Sequence, residues 1–226
     1  MAFVQLFCFE KIMATITITQ QKTLTQEQLE NYKSLFPNDE RIQAVTLEEL
    51  IKNTNGKVDW SNLPLSKEVG NIPSMADDFS CIEAVGFVVF DALCLALGGV
   101  GLRADLSGDV AEAVGNAAKP SLSAIETIIA DITAESATIT DVAWGVYKIL
   151  KTIYSAGCLG AVIDAFLTSL SYWQKILYGA TALGTIVAAV ATDGVAFVGE
   201  IVIELATFGF LVDDSIKAVE ACNLTT

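Results

Sequence analysis

From residue 76 onward, apolar positions either recur at helical spacing or fill whole helical lengths. In LSAIETIIADITAES, Leu122, Ile125, Ile128, Ile129 and Ile132 follow three-and-four spacing, which predicts a helix with one dry face. Pro120 and the pair Ser123 and Glu126 predict its start through a capping box. A second amphipathic helix is predicted over 141–154, with Val142, Val146, Ile149, Leu150 and Ile153 on one side. Its Lys148 and Lys151 lie toward the carboxyl end, where cations suit the helix dipole. Three further segments, 84–102, 152–174 and 176–212, are apolar nearly all round, which places a helix at the centre of a bundle or in lipid. The last is two apolar runs joined by Thr192-Asp193-Gly194. Its second run, VAFVGEIVIEL, has strand propensity, but its length and the i, i+4 stripe of Glu200 and Glu204 favour helix. The expected fold is therefore all-α: a bundle of five or six helices around a central apolar hairpin, with 176–212 the most buried segment.

Upstream the pattern changes. Residues 15–75 carry 8 acidic against 6 basic side chains and only short apolar clusters, so a small polar helical region precedes the bundle. Thr25 with Gln28 forms a capping-box pattern before Leu29, Tyr32, Leu35 and Phe36, and Pro37 stops the run. Thr46 with Glu49 repeats it before Leu50 and Ile51, and Asn55-Gly56 closes it. Residues 60–75, with Pro64 and Pro73, read as an extended linker able to pack on the main body. The alternation at 15–19 is the best strand candidate. Residues 1–12 have an apolar run without a basic n-region or a small-residue cleavage site, so they make a poor signal peptide. With Met13 as an alternative start, the chain divides into an upstream extension (1–12), a polar region (13–75) and a hydrophobic acidic helical domain (76–226).

Composition sharpens the functional question. Apolar residues make up 53% of the chain and charged ones 18%, above and below the ordinary globular shares, and mean hydropathy is +0.52. The net charge of −14 sits mostly on the most hydrophobic part, since residues 76–226 hold 18 acidic against 6 basic side chains. Nucleic acid is excluded as a partner, because neutralising phosphates takes clustered Lys and Arg. The chain has no histidine, which removes the commonest general base and metal ligand, so neither an enzyme nor a metal or cofactor is expected. Five cysteines show no paired ligand spacing of the kind that marks zinc sites. They read as small buried hydrophobes, or, in an exported chain, as disulfides pairing Cys81 with Cys222 and Cys94 with Cys158. Leu97-Gly98-Gly99 reads as a helix C-cap rather than a leader-cleavage site, and the following glycines lack the Lys-Ser/Thr of a phosphate loop. Asp105 to Asp109, with Glu112, reads as a solvated turn before a helix rather than a calcium loop.

A membrane span needs about 20 mainly apolar residues. The run 84–102 is interrupted only by Asp91, 152–174 only by Asp164, and 176–192 has no charge from Ile176 on. The second hairpin arm carries Glu200 and Glu204, and an ionised carboxylate at mid-bilayer costs about 3 kcal/mol on insertion scales. Polar residues in the spans and the lack of a basic loop bias argue against an integral membrane protein. Small residues at four-residue spacing (Ala180, Gly184, Ala188, Thr192; Gly157, Ala161, Ala165) allow close helix approach in either setting.

Amphipathic helices wrapping an apolar hairpin resemble, in gross plan over residues 80–222, the pore-forming domain of colicins and related helical toxins. The resemblance is one of pattern and carries no functional residue across. It implies a membrane-active effector or toxin that releases the hairpin into a bilayer, with membrane lipid as partner. Homo-oligomers and an export or docking partner for the N-terminal region are further candidates, and export without a conventional signal peptide is the matching route. Asp164, Asp193, Glu200 and Glu204 interrupt the longest apolar runs and are the candidate pH sensors, since burial in lipid favours the protonated form and acid would then favour insertion. Asp91 and Asp164 would be structural if paired with Lys148 or Lys151. Trp144, Tyr147, Tyr154, Tyr172 and Trp173 would suit an interfacial belt or the bundle ends. The rival reading is a soluble helical interaction or apolar-ligand-binding module without membrane activity.

Overall fold

A computed structural model of the chain describes residues 24–60, 80–98, 107–206 and 209–224. The upstream extension, the 15–19 alternation, most of the linker, Cys8 and Asp105 lie outside the described residues. Among those residues the protein is all-α, with no strand and eleven helices. They are α1 (Gln26–Ser34), α2 (Glu40–Ala44), α3 (Leu47–Thr54), α4 (Cys81–Leu97), α5 (Gly108–Ala117), α6 (Leu122–Thr133), α7 (Ile139–Ser155), α8 (Leu159–Phe166), α9 (Tyr172–Val190), α10 (Val195–Leu205) and α11 (Phe210–Cys222).

Local chemistry sets most of the boundaries. Both N-terminal capping boxes form, Thr25 with Gln28 and Thr46 with Glu49, and α3 ends in left-handed Asn55 and Gly56. Gly98 takes the left-handed position that closes α4, which ends at Leu97 rather than reaching residue 102. Ser107 caps α5, so the part of the acidic turn that is described serves as a helix start. Ser123 and Glu126 do not cap α6. Pro120 instead initiates a 3-10 turn, Lys119–Ser121, that runs straight into the helix at Leu122 and leaves Ser123 inside it. A third capping box, Thr138 with Asp141, starts α7 two residues before the predicted position.

The 152–174 segment is not one helix. Gly157, at φ 71°, ends α7 after one left-handed residue, and α8 leaves at 114° to it. A turn over 167–171 then separates α8 from α9. Thr192-Asp193-Gly194 likewise turns the chain by 119° between α9 and α10. Among the described residues no single helix is long and apolar enough to cross a membrane.

The centre of the core is α4. Thirteen of its seventeen residues are buried, and it is touched by α5, α6, α7, α9, α10 and α11. Apolar residues on every side of this helix are what a surrounded helix requires. The expectation that 176–212 is the most buried segment fails in its second half. α9 is buried on most sides, but α10 buries only Phe197, Val198 and Ile201 and leaves Val195 60% and Ile203 49% exposed. α11 packs on α4 and α6 while Phe210, Val212 and Ile216 face outward.

The polar N-terminal region is seated on α9. α1 and α3 lie against it, Tyr32 of α1 over Gly179 and Gln28 over Gly184, so one residue of the small-residue stripe, Gly184, and the adjoining Gly179 serve this docking. Tyr178 fixes the stretch after α3 twice, its hydroxyl accepting from the Asp59 amide (3.1 Å) and donating to the Asp59 carbonyl (3.0 Å). Trp60 then stacks edge-on against Tyr178 at 4.9 Å and leans on Phe166 of α8.

Candidate functional site

The turn between α9 and α10 is built by its own polar side chains. Thr192 Oγ1 donates to the Ala189 carbonyl and accepts from the Gly194 amide, and the Asp193 carboxylate accepts from the Val195 amide at 3.1 Å. Gly194 is left-handed at φ 76° and lies against the Tyr147 ring, where a side chain would collide. The Tyr147 hydroxyl donates to the Thr192 carbonyl, and its ring meets Phe197 at 6.3 Å. The turn is thereby pinned to α7, and α10 departs from a fixed corner.

α10 is amphipathic in an uncommon sense. Its inner side is apolar, and its outer side is also largely apolar, with Val195, Gly199 and Ile203 at i, i+4, i+8 beside the exposed Glu200. The three buried side chains contribute about 1.5–3 kcal/mol each, so roughly 5–9 kcal/mol holds the helix against the bundle. By the same measure α4 is held several times more strongly.

The four predicted pH-sensing residues fall in three environments. Asp164 sits on α8, where its carboxylate pairs with Lys175 of α9 at 2.7 Å, so it is a structural ion pair made with neither Lys148 nor Lys151. Asp193 is exposed and acts as a turn former. Glu200 and Glu204 share the α10 stripe as expected. The Glu204 carboxyl is raised above the usual glutamate range, first by burial and then by the neighbouring Glu200 charge. Asp91 is wholly buried on α4, and Asp214 of α11 is buried with Lys217 at 3.5 Å.

Four of the five aromatic residues predicted as a belt form two pairs, and the fifth, Tyr154, is exposed at the end of α7. Trp144 and Tyr147 meet edge-on at 5.5 Å on α7, and Tyr172 and Trp173 at 5.2 Å at the start of α9. Arg41 lies over the Tyr172 ring at 5.6 Å, which ties α2 to that end of the bundle.

The concavities among the described residues include two open ones. One, about 600 Å³, opens at the turn from Leu35 to Arg41. The other, about 480 Å³, lies between α6 and α7 over Ile128, Ile132 and Trp144, with Asp131, Asp141 and Lys148 exposed around it. Both are open to solvent and mixed in polarity, unlike the enclosed apolar pockets that take lipid or drug-sized ligands.

Cys81, the first residue of α4, is bonded to Cys222, the last residue of α11, joining the two ends of the helical domain. Cys94 and Cys158 are buried and lie outside this bond, and Cys158 donates to the Ile153 carbonyl at the end of α7. No protein-family model, curated protein or solved structure matches the chain.

Proposed function

We propose that this protein acts on lipid bilayers as a membrane-active helical effector, and that α10 with its flanking turn is the element that leaves the bundle. The observation that carries this reading is the doubled apolar surface of α10: Val195 and Ile203 face solvent, while only Phe197, Val198 and Ile201 are buried. Moving such a helix to a bilayer buries its outer face as well as its inner one, so lipid offsets the loss of the bundle contacts. At 11 residues α10 is about 16 Å long, too short for a hydrocarbon core of ~30 Å. The proposed mode is therefore a helix lying in the headgroup–acyl boundary, with α9 able to follow it. Acid favours the step because burial in lipid favours the protonated Glu200 and Glu204 carboxyls more strongly than the bundle does, so the inserted state binds more protons than the bundle.

The test is dye release from anionic and neutral vesicles at about pH 7 and about pH 4.5. The expected result is leakage that rises on acidification and moves to higher pH in the Glu200→Gln, Glu204→Gln double variant. Equal absence of leakage at both pH values in the wild type, with intact vesicles, sinks the reading in favour of a soluble interaction or apolar-ligand module. That rival would instead be supported by stoichiometric lipid co-purifying with the chain.

A further inference from the structure

We infer that Cys81, Cys222 and Glu126 form a redox-gated site for a thiophilic divalent cation of the zinc type. The sequence offers no local ligand spacing, but the fold brings together the start of α4, the end of α11 and the middle of α6. One ligand atom from each residue lies within 4.8 Å of the others. The disulfide accounts for the two cysteines but not for Glu126, whose carboxylate lies 3.4 Å from the Cys81 sulfur. A bonded sulfur has no hydrogen to donate, so in the oxidised form this half-buried carboxylate faces a group that cannot answer it. A reduced sulfur, or a cation between the two, can.

The surroundings favour metal over a bare dithiol. Cys81 lies in the first turn of a 17-residue helix, where the dipole favours thiolate, and Cys222 ends α11, where the carbonyl end of a helix favours a cation. Two thiolates select a soft or borderline metal, and a carboxylate completes three protein ligands with the fourth tetrahedral position left to water. A two-electron reductant breaks the S–S bond: a dithiol gives up its two hydrogens and becomes a disulfide, or, in the assay, a phosphine takes the oxygen of a water molecule to become a phosphine oxide while that water supplies the two hydrogens. Each sulfur gains a hydrogen. Binding Zn²⁺ then releases those two protons, and the sulfurs part to about 3.8 Å, the edge of a tetrahedron with ~2.3 Å metal–sulfur bonds.

The experiment uses the full chain, reduced with a phosphine, loaded with Zn²⁺ or Co²⁺ and desalted. Reduced wild type is expected to retain one zinc per chain, and its cobalt form to show tetrahedral ligand-field bands with thiolate-to-metal charge transfer. Oxidised protein should retain none. The Cys81→Ser, Cys222→Ser variant, which keeps Cys8, Cys94 and Cys158, should also retain none, and Glu126→Gln should bind about tenfold or more weakly. No stoichiometric metal in the reduced chain, equal binding by the double variant, or undiminished binding by Glu126→Gln overturns the site. If reduction costs helix by far-UV circular dichroism, zinc should restore it in wild type and not in the double variant; failure to restore it also overturns the proposal.

Discussion

Replacing Gly86 by alanine tests a close backbone contact between α4 and α5. Gly86 of α4 faces the backbone of α5, and a Cβ built on it would overlap the Ala111 carbonyl oxygen and lie 2.6 Å from the carbonyl carbon. The contact is reciprocal: a Cβ on Gly115 of α5 would lie 3.0 Å from the Ile82 carbonyl carbon. In both cases the obstacle is helical backbone, which cannot rotate aside, so the axes must separate by about an ångström and loosen the buried residues on either side. Overpacking of this kind costs about 1–3 kcal/mol and the upper end applies to rigid obstacles, against which helix propensity returns ~1 kcal/mol. A net loss of about 2 kcal/mol lowers Tm by roughly 4–8 °C in a chain of this size. Gly199 supplies the control, because it is also interior to a helix but has nothing within 4 Å of the added Cβ. There only the propensity gain remains, and Tm should rise by about 2–4 °C. Thermal unfolding of Gly86→Ala and Gly199→Ala by circular dichroism decides the matter. Shifts of the same sign, or a Gly86→Ala shift within a degree of zero, would refute the α4–α5 crossing described above.

Glu204→Gln should stabilise the fold at neutral pH. Burial raises the Glu204 carboxyl in the folded state, so folding favours its protonated form, the penalty applies above the usual glutamate range, and the advantage of Gln should fade as pH falls through that range. Equal Tm differences at about pH 7 and about pH 4 would contradict this. Tyr178→Phe removes both hydrogen bonds to the Asp59 backbone and should cost about 1–2 kcal/mol while exposing Trp60 to soluble quencher; unchanged quenching would mean that the stretch after α3 is held by other contacts. Cys222→Ser opens a loop of 141 residues and, on the chain-entropy account, should cost about 5 kcal/mol of stability, read as a lower denaturation midpoint. Alkylation of the unreduced, denatured chain followed by peptide mapping should leave Cys81 and Cys222 unmodified and label Cys94 and Cys158.

Local signals in the sequence carried far. The helix class, two N-terminal capping boxes and the Gly98 stop were all readable, because each depends on a few neighbouring residues. What could not be read was which apolar helix sits in the middle. Residues 84–102 and 176–212 are both apolar on all sides, and hydropathy cannot say which is surrounded by partners and which lends one face to solvent. The two breaks inside 152–174 were missed because Gly157 looked like one more small packing residue, whereas its left-handed backbone ends α7. Glu126 was misassigned for a similar reason: Ser-x-x-Glu is a cap only if the serine precedes the helix, and Pro120 starts the turn earlier. Asp164 looked solitary along the chain because its partner, Lys175, lies across a turn on the next helix.

The chain's high apolar content does not by itself argue for lipid. α4 needs apolar residues all round because it has a neighbour on every side, and α9 needs them because α1 and α3 cover what α4, α7 and α8 leave open. Those two helices account for much of the hydropathy within the bundle. Among the exposed large apolar residues that remain, Leu35, Ile51, Ile139 and Tyr154 are spread over other parts of the bundle, while Val195, Ile203, Phe210, Val212 and Ile216, each at least 37% exposed, are on α10 and α11. Single exposed apolar residues are ordinary on protein surfaces. Here five of the nine fall on two successive helices, one of which buries only three side chains fully, with Val202 and Leu205 half-buried beside them. This separates the membrane reading from a general argument by composition. Substituting Val195 and Ile203 with serine leaves the buried side of α10 intact, so the fold should keep its Tm within about a degree or two, as for surface changes generally. On the membrane reading, the same substitution should weaken vesicle binding at acid pH by several-fold, since each side chain forfeits roughly 1.5 kcal/mol or more of lipid burial. Undiminished binding with an unchanged fold would remove the outer face of α10 from the mechanism.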